Sequence, residues 1–310
     1  MSRNDIIMLV VTFTSGGAAL LFPAPGELLH PHLTYFIMII LFLSFLRIDF
    51  RALVDTSSRS LTHLGILVVF KLLLVPIGLY FATLLVLPDY AVPTLLLSGI
   101  STGVMAPFMA VLVSADGAKA FRMVIVTSVL VPFTLPPLVK LLVGAQMEIP
   151  LAGMFQILAA VIFIPMGAVL ILRRFAPQIP ERIAPFQFSI SMVFLAAINL
   201  GVFSHYSDFF VQNPGRLLVC MGVAYVLAVI YYSIGFLLTP GGTREERLAA
   251  GLSFAIMNNV VVIVFASRFF GPLAPTLAAM YMFPFYTMIV PVKLLANLLP
   301  DSQLEKACDQ

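Results

Sequence analysis

The feature that most constrains this chain is a series of long apolar runs, each long enough to cross a lipid bilayer as a helix. A crossing requires roughly 20 apolar residues, and counting by this rule predicts about ten spans. Their approximate bounds are 6–22, 32–46, 64–87, 92–113, 121–143, 151–172, 186–203, 217–238, 248–267 and 273–299. A polar tail, 301–310, follows the last span.

The composition excludes a soluble fold. Charged residues make up 10% of the chain and hydrophobic residues 61%, whereas soluble domains carry about 25% charged residues. We therefore predict an all-α polytopic membrane protein that has the lipid bilayer as its solvent. The net charge of +3 gives no reason to expect nucleic acid as a partner. Cys220 and Cys308 fit neither a disulfide framework nor a metal site, and we expect no cofactor.

Positive charge is distributed unequally between the two sides of a ten-span arrangement. One side receives three basic residues, which are Lys140, Arg216 and Arg268. The other side receives twelve, which are Arg3, Arg47, Arg51, Arg59, Lys119, Arg122, Arg173, Arg174, Arg182, Arg244, Arg247 and Lys306. Basic loops stay on the cytoplasmic side of a membrane. We therefore expect a multi-pass protein of the inner (plasma) membrane with both termini, and the tail 301–310, in the cytoplasm.

Two stretches within the apolar runs resemble each other. Met105-Ala-Pro107 in the fourth span and Met257-Asn-Asn259 in the ninth stand 152 positions apart. A second pair at the same distance is Pro132-Phe133 and Pro284-Phe285. These echoes predict a single transporter unit, 1–310, built from two repeats at about 1–146 and 147–300. Five spans per repeat is an odd number, so the second repeat is inverted, and such transporters place their site at broken helices.

Both stretches weaken the helices that contain them. Proline lacks an N–H and clashes with the preceding turn, so we predict that the two spans unwind and cross around Ala106–Pro107 and Asn258–Asn259. The freed backbone groups must face protein or a wet cavity. Opposed helix ends also bring partial positive and negative charges together. Such a centre suits an anion beside a cation.

At these residues the chain resembles the bile acid:sodium symporter superfamily, over most of its length. The motifs are Asp49-Phe50 after the second span, Ser98-Gly99 in the fourth, Val126-Thr-Ser-Val129 in the fifth and Met257-Asn-Asn259 in the ninth. The resemblance implies a panel domain of spans 1–2 and 6–7 that rocks against a core domain of spans 3–5 and 8–10. It also implies sodium-driven transport of organic anions, such as bile acids, steroid sulfates or small carboxylates, rather than an enzyme.

Several positions depart from the sodium ligands that the resemblance implies. A shared glutamate of the ninth span falls at Phe254, and a serine and an asparagine of the fourth fall at about Pro107 and Phe108. None of the three has a side-chain oxygen, and hard cations prefer several oxygen ligands. We therefore expect no metal site and no coupling to two sodium ions. A conventional sodium-coupled symporter is the alternative.

Lys71 in the third span stands where the family often has a sodium-liganding glutamine, five residues before a proline, here Pro76. A charged residue at membrane depth is costly and usually functional. We predict that its ammonium replaces a sodium ion, donates to helix C-terminal carbonyls and to the Asn258 oxygen, and helps to bind an anionic substrate. Burial disfavours a charged amine and an anion restores it, so proton coupling is open. The alternative is a lysine that snorkels to the membrane surface.

Further polar side chains are candidates for binding substrate. They are Ser101 and Thr102 in the fourth span, Thr127, Ser128 and Thr134 in the fifth, Asn199 in the seventh, and Asn258 and Asn259 in the ninth, with Pro107 at the break. A hydroxyl in a membrane helix more often bonds the carbonyl of its own preceding turn, and an asparagine can equally serve helix packing. The 27 Phe and 15 Met residues offer an adaptable apolar wall for an amphipathic anion.

Two other classes of function stay open at this point. Gly99-Ile-Ser-Thr-Gly103 matches the G-x-S-x-G pattern, which would make Ser101 the nucleophile of an intramembrane hydrolase. That pattern has meaning only on a strand–turn–helix with a base within reach. A membrane sensor that binds a ligand without moving it is the third class. Solute uptake into vesicles by the purified protein distinguishes all three.

Overall fold

The computed structural model describes residues 3–46, 58–144 and 150–298, and these residues are almost entirely helical. In the first half the helices are α1 (Arg3–Leu21), α2 (Pro23–Glu27), α3 (Leu33–Phe45), α4 (Ser58–Val69), α5 (Val75–Val86), α6 (Ala91–Gly99), α7 (Ala106–Leu112) and α8 (Gly117–Val143). In the second half they are α9 (Leu151–Phe175), α10 (Gln178–Ile183), α11 (Gln187–His205), α12 (Ser207–Gln212), α13 (Pro214–Leu237), α14 (Arg244–Ala255), α15 (Asn259–Phe269), α16 (Leu273–Met280), α17 (Met282–Thr287) and α18 (Ile289–Leu298). The Asp49-Phe50 pair and the tail 301–310 lie outside the described residues.

These helices account for the predicted spans. Within the described ranges, seven helical segments are continuous, long and apolar enough to cross a membrane, from Pro23–Phe45 to Leu273–Ala296. The first span is α1, whose apolar part is Val10–Leu21. The fourth span is split into α6 and α7, and the ninth into α14 and α15. The protein is a polytopic, all-α membrane protein, as its composition predicts.

The helices pack in two groups. Helices α1, α2, α3, α9 and α11, which correspond to spans 1–2 and 6–7, contact one another. In the second group α13 packs on α14 and α16, α6 packs on α5 and α16, and α8 packs on α7 and α14. Contacts between the groups run mainly from α15 to α3, α9 and α11, and from α8 to α9. Both broken spans therefore belong to the second group, and α15 carries much of its contact with the first.

Local sequence explains where α8 and α14 begin. The Asp116 carboxylate accepts a hydrogen bond from the Lys119 N–H at 2.9 Å, which satisfies a first-turn donor that has no partner within the helix. Thr243 precedes α14 and forms a capping box with Glu246. The Asp116 N–H also donates to the Glu245 carbonyl at 3.1 Å. The capped ends of these two helices are thus fixed to each other.

Candidate functional site

The fourth and ninth spans cross where their helices are interrupted. The interrupting segments, 100–105 and 256–258, approach each other, and we call this pair of segments the crossing. Within it Thr102 and Met257 pair in an isolated antiparallel bridge. The two breaks, which lie far apart in the sequence, therefore form one structural unit.

Backbone hydrogen bonds join the two segments of the crossing. The Gly103 N–H donates to the Ile256 carbonyl at 2.7 Å, and the Asn258 N–H donates to the Ser101 carbonyl at 3.1 Å. A Cβ atom at Gly103 would lie 2.6 Å from the Met257 carbonyl oxygen, so this approach requires a glycine. These groups are satisfied by the opposite span, as burial away from water demands.

The first break lies N-terminal to its predicted position. We predicted unwinding at Ala106–Pro107, but α7 begins at Ala106 and Pro107 lies in its first turn. A proline there sacrifices no hydrogen bond, because the first N–H groups of a helix have no partner within it. Pro107 therefore starts a helix, and the prediction that it causes the break is wrong.

Two of the predicted hydroxyl residues hold the crossing together. The Thr102 Oγ1 donates to the Ser253 carbonyl at 2.8 Å, which ties the fourth span to α14. The Thr127 Oγ1 accepts from the Thr102 N–H at 3.0 Å and donates to the Met123 carbonyl at 2.6 Å. Both threonines are completely buried, so α8 supports the crossing from one side.

A partly open cavity of about 350 Å³ lies between the crossing and the first group of helices. Its walls come from the second half of α3, the first half of α11, the start of α8, α17 and the crossing. Aromatic and methionine side chains dominate it, namely Phe108, Phe121, Phe188, Phe285, Tyr286, Met105, Met192, Met257 and Met282. None of the described lining residues is charged. A charged ligand here would therefore depend on polar side chains and backbone dipoles.

Three of the residues proposed from the sequence to bind substrate line this cavity, and they are Pro107, Asn258 and Asn259. Asn259 is the first residue of α15 and only 3% exposed. Neither polar atom of its side chain has a hydrogen-bond partner among the described residues. Because a buried amide without a partner is costly, this side chain is ready to bond a ligand. Ser44, Gln187 and Ser191 also line the cavity, and the sequence did not single them out.

The other seven proposed residues lie away from the cavity lining. Three of them are Thr102, Thr127 and Lys71, and four remain. The Thr134 hydroxyl donates to the Leu130 carbonyl of its own preceding turn, and Ser128 is buried in α8. The Asn199 side chain donates to the Ser15 hydroxyl at 3.2 Å and so joins α11 to α1.

The last of the four, Ser101, does not have the surroundings of a catalytic serine. It is 1% exposed, and its hydroxyl has no hydrogen-bond partner within the described part of the chain. A serine nucleophile needs a base within hydrogen-bond reach. The hydrolase alternative therefore has no support in this geometry.

Lys71 is completely buried beside α6, in the π-helical segment Phe70–Leu74 that joins α4 to α5. Its Nζ donates to the Ser98 carbonyl at 3.1 Å, close to the C-terminal end of α6, where the helix dipole is negative. The lysine therefore does not snorkel to the surface. Among the described residues it forms neither a salt bridge nor a hydrogen bond with Asn258.

Tyr231 of α13 completes the surroundings of Lys71. The Lys71 Nζ lies 5.7 Å from the centre of the Tyr231 ring, within the range of a cation–π attraction. The Tyr231 hydroxyl lies 2.6 Å from the Ser98 Oγ, so both side chains hold the end of α6. A carbonyl dipole and an aromatic face thus stand where a counter-ion would otherwise be needed. Sequence reasoning missed Tyr231, because a tyrosine in an apolar span gives no sign of its partner.

The residues at the positions that depart from the implied sodium ligands have no side-chain oxygen. Phe254 is fully buried in α14, and Phe108 is 48% exposed and lines the cavity. Across the described ranges no group of three or more His, Cys, Asp or Glu residues is placed to hold a metal ion.

Away from the cavity the two groups of helices are joined by side-chain hydrogen bonds. The Tyr206 hydroxyl, just after α11, donates to the carbonyls of Ser267 and Phe270 at 3.2 and 3.4 Å. Arg268 donates to the Thr34 hydroxyl at 3.3 Å. Tyr206 and Thr34 lie at the ends of α11 and α3 opposite to those that line the cavity. The groups are therefore apart at one end and in contact at the other.

The sequence profile of the Sodium Bile acid symporter family matches residues 34–213, more than half of the chain. The chain belongs to the sodium bile acid symporter family. This confirms the resemblance inferred from the motifs and makes the protein a member of a family of membrane transporters. The match includes Lys71 and the broken fourth span and ends before the ninth. No curated protein matches the chain.

Proposed function

We propose that the protein is a secondary transporter of an organic anion, of the bile acid, steroid sulfate or small carboxylate class, that works by alternating access without two bound sodium ions. Spans 3–5 and 8–10 form the core domain, and spans 1–2 and 6–7 form the panel domain. Lys71 takes the place of a sodium ion in the core. The termini and the tail lie in the cytoplasm of a cell whose inner membrane holds the protein.

The cavity supports an anionic substrate with an apolar body. The positive end of the α15 dipole and the unpaired Asn259 amide meet there, and both favour a negative group. The remaining lining is largely Phe and Met and carries no charge in the described residues. An amphipathic monoanion would bind with its acidic group at the N-terminus of α15 and its apolar body against the Phe and Met side chains.

The buried ammonium of Lys71 is the single observation that carries the proposal of sodium-independent transport. It donates to Ser98 at the carbonyl end of α6 without a carboxylate partner among the described residues. When it is protonated, the amine neutralises the negative end of the half-helix. The residues at the positions of the implied sodium ligands, Phe254, Pro107 and Phe108, would offer a sodium ion no side-chain oxygen.

Alternating access is supported by the unequal contacts at the two ends of the domain boundary. The cavity lies beside the C-terminal half of α3 and the N-terminal half of α11. The opposite ends of these helices are joined to α15 by the hydrogen bonds of Tyr206 and Arg268. Breaking those bonds and closing the cavity would expose the crossing to the other side of the membrane.

Uptake by purified protein in proteoliposomes tests the proposed function. We expect uptake of at least one probe among cholate, a steroid sulfate and a short monocarboxylate, and we expect it to change little when sodium is replaced by potassium. An imposed proton gradient tests whether a proton accompanies the anion. Strictly sodium-dependent uptake would establish the conventional symporter, which the family membership favours. Binding of a probe without flux would instead indicate a sensor.

Asn259 gives a direct test of the anion position. Asn259→Asp preserves size but places a carboxylate where the acid of the substrate should bind, and like charges in contact are strongly unfavourable. We expect the affinity for the transported probe to fall about tenfold or more, measured by titration of the purified protein. Asn213→Asp, at a part-buried loop position before α13, is the matched control and should bind normally. Equal affinity for both variants would remove Asn259 from the site.

A further inference from the structure

The carbonyl end of α14 is held in the same manner as that of α6. Tyr281 is completely buried, and its hydroxyl donates to the carbonyl of Ala255, the last residue of α14, at 2.8 Å. Tyr281 lies in the tenth span, between α16 and α17, with helical backbone hydrogen bonds from its N–H to the Leu277 carbonyl and from the Phe285 N–H to its own carbonyl. Lys71 and Tyr281 therefore each place a buried donor on the end of one broken helix.

Two further carbonyls at or beside the crossing are also occupied by donors from the protein. The Ser253 carbonyl accepts from the Thr102 hydroxyl, and the Ile256 carbonyl accepts from the Gly103 N–H. A sodium ion bound by a protein needs several oxygens at short range. Of the carbonyl oxygens at the end of α14, those of Ser253 and Ala255 already accept hydrogen bonds from side chains of other spans.

Tyr231 links the two donors. Its ring lies under the Lys71 ammonium and packs edge-on against Tyr281, with the ring centres 6.0 Å apart. All three side chains are completely buried. Aromatic rings in such contact have few alternative positions in a packed interior, so the Tyr281 hydroxyl and the ammonium are held in fixed relation.

We propose that Tyr281 is a positioning residue that fills a second cation position, at the end of α14, and that with Lys71 and Tyr231 it holds the crossing in its binding geometry without any bound metal ion. This inference rests on the proposed function, in which Lys71 replaces one sodium ion. It adds that the other broken helix is completed by an uncharged hydroxyl. The crossing then has one built-in positive charge rather than two exchangeable ones.

Thermal unfolding of the purified full-length protein in equal concentrations of NaCl, KCl or choline chloride tests this role. We expect the wild type to unfold at one temperature in all three salts. Tyr281→Phe leaves the Ala255 carbonyl buried and bare, and it should unfold about 2–4 °C lower in KCl and in choline chloride. Sodium should recover most of that loss, because a small hard cation can then bind the free oxygen. A tyrosine that only fills space would give no such dependence on the salt.

The matched control is Tyr225→Phe, which removes a hydroxyl bonded to Thr287 in an exposed pair and should leave unfolding independent of the salt. Thr102→Val removes the hydrogen bond to the Ser253 carbonyl on the same half-helix. If Tyr281→Phe does not fold, the unfolding temperature of Thr102→Val in the three salts tests the proposal instead. The proposal is overturned if the core variants lose the same stability in all three salts, or if Tyr281→Phe behaves like Tyr225→Phe. Stabilisation of the wild type by sodium would instead overturn the proposed function.

Discussion

Lys71→Gln is expected to reduce substrate uptake and binding by about 10- to 100-fold, the range set by loss of a buried hydrogen bond from a charged donor. Glutamine keeps a polar side chain but removes the positive charge at the carbonyl end of α6. The carbonyl end of that helix, which leads directly into the crossing, then has no positive charge beside it. Uptake into proteoliposomes and probe binding to the purified protein measure the two effects separately.

Lys140→Gln is the matched control, because Lys140 is an exposed lysine near the end of α8. It should transport like the wild type. Lys71→Met, which is apolar and of similar length, should be as inactive as Lys71→Gln if the charge is what matters. Wild-type uptake by Lys71→Gln in potassium would contradict the role given to the ammonium.

Gly103→Ala is expected to abolish uptake and to lower the unfolding temperature by several degrees. The added Cβ would lie 2.6 Å from the Met257 carbonyl oxygen. The atoms that it would meet belong to the backbone of Met257 and Asn258, which cannot move aside as a flexible side chain can. Overpacking of this kind costs about 1–3 kcal/mol. If the bridge between Thr102 and Met257 opens to make room, buried N–H and C=O groups also lose their partners. Thermal unfolding and uptake of the same preparation report the two consequences.

Gly167→Ala is the control for this substitution. Gly167 lies in the middle of α9, and a Cβ there would meet nothing within 4 Å. Alanine is the better helix former by about 1 kcal/mol, so this variant should be as stable as the wild type or slightly more stable. If Gly103→Ala were equally harmless, the close approach of the two segments would not be needed for transport.

The spans were predictable because hydrophobic length is a local property of the sequence. The ten apolar runs correspond to helices whose bounds differ by a few residues, and the two broken spans were placed correctly. The break in the fourth span was predicted at the wrong residues, because the proline pattern reports only on the helix that contains Pro107. The contact that fixes its position, between Thr102 and Met257, joins segments from opposite halves of the chain. No sequence pattern within either segment predicts that pairing.

Residues of the site were predictable where the sequence itself makes a side chain exceptional, as at Asn258 and Asn259 within an apolar span. Lys71 stood out because a cation is costly in an apolar span. The hydroxyl residues gave no such signal, since the sequence does not determine which way a hydroxyl points. Thr102 and Thr127 bond to backbone groups at the crossing, and Thr134 bonds to its own helix. Tyr281 was not predicted, because its partner is the backbone carbonyl of Ala255. Every residue has such a carbonyl, so the sequence does not show which one a tyrosine will bond.

The burial of Lys71 also has a consequence for how the chain is made. The lysine enters the bilayer with the third span, before Ser98 has been synthesised 27 residues later and well before Tyr231. Insertion of that span alone carries a cost of about 2.5–3.5 kcal/mol for the lysine. We therefore expect nascent chains that end before α6 to integrate this segment poorly, and integration to improve when α6 and then α13 follow. The order of synthesis thus leaves the lysine without its Ser98 partner for 27 residues, and without the Tyr231 ring for about half the length of the protein.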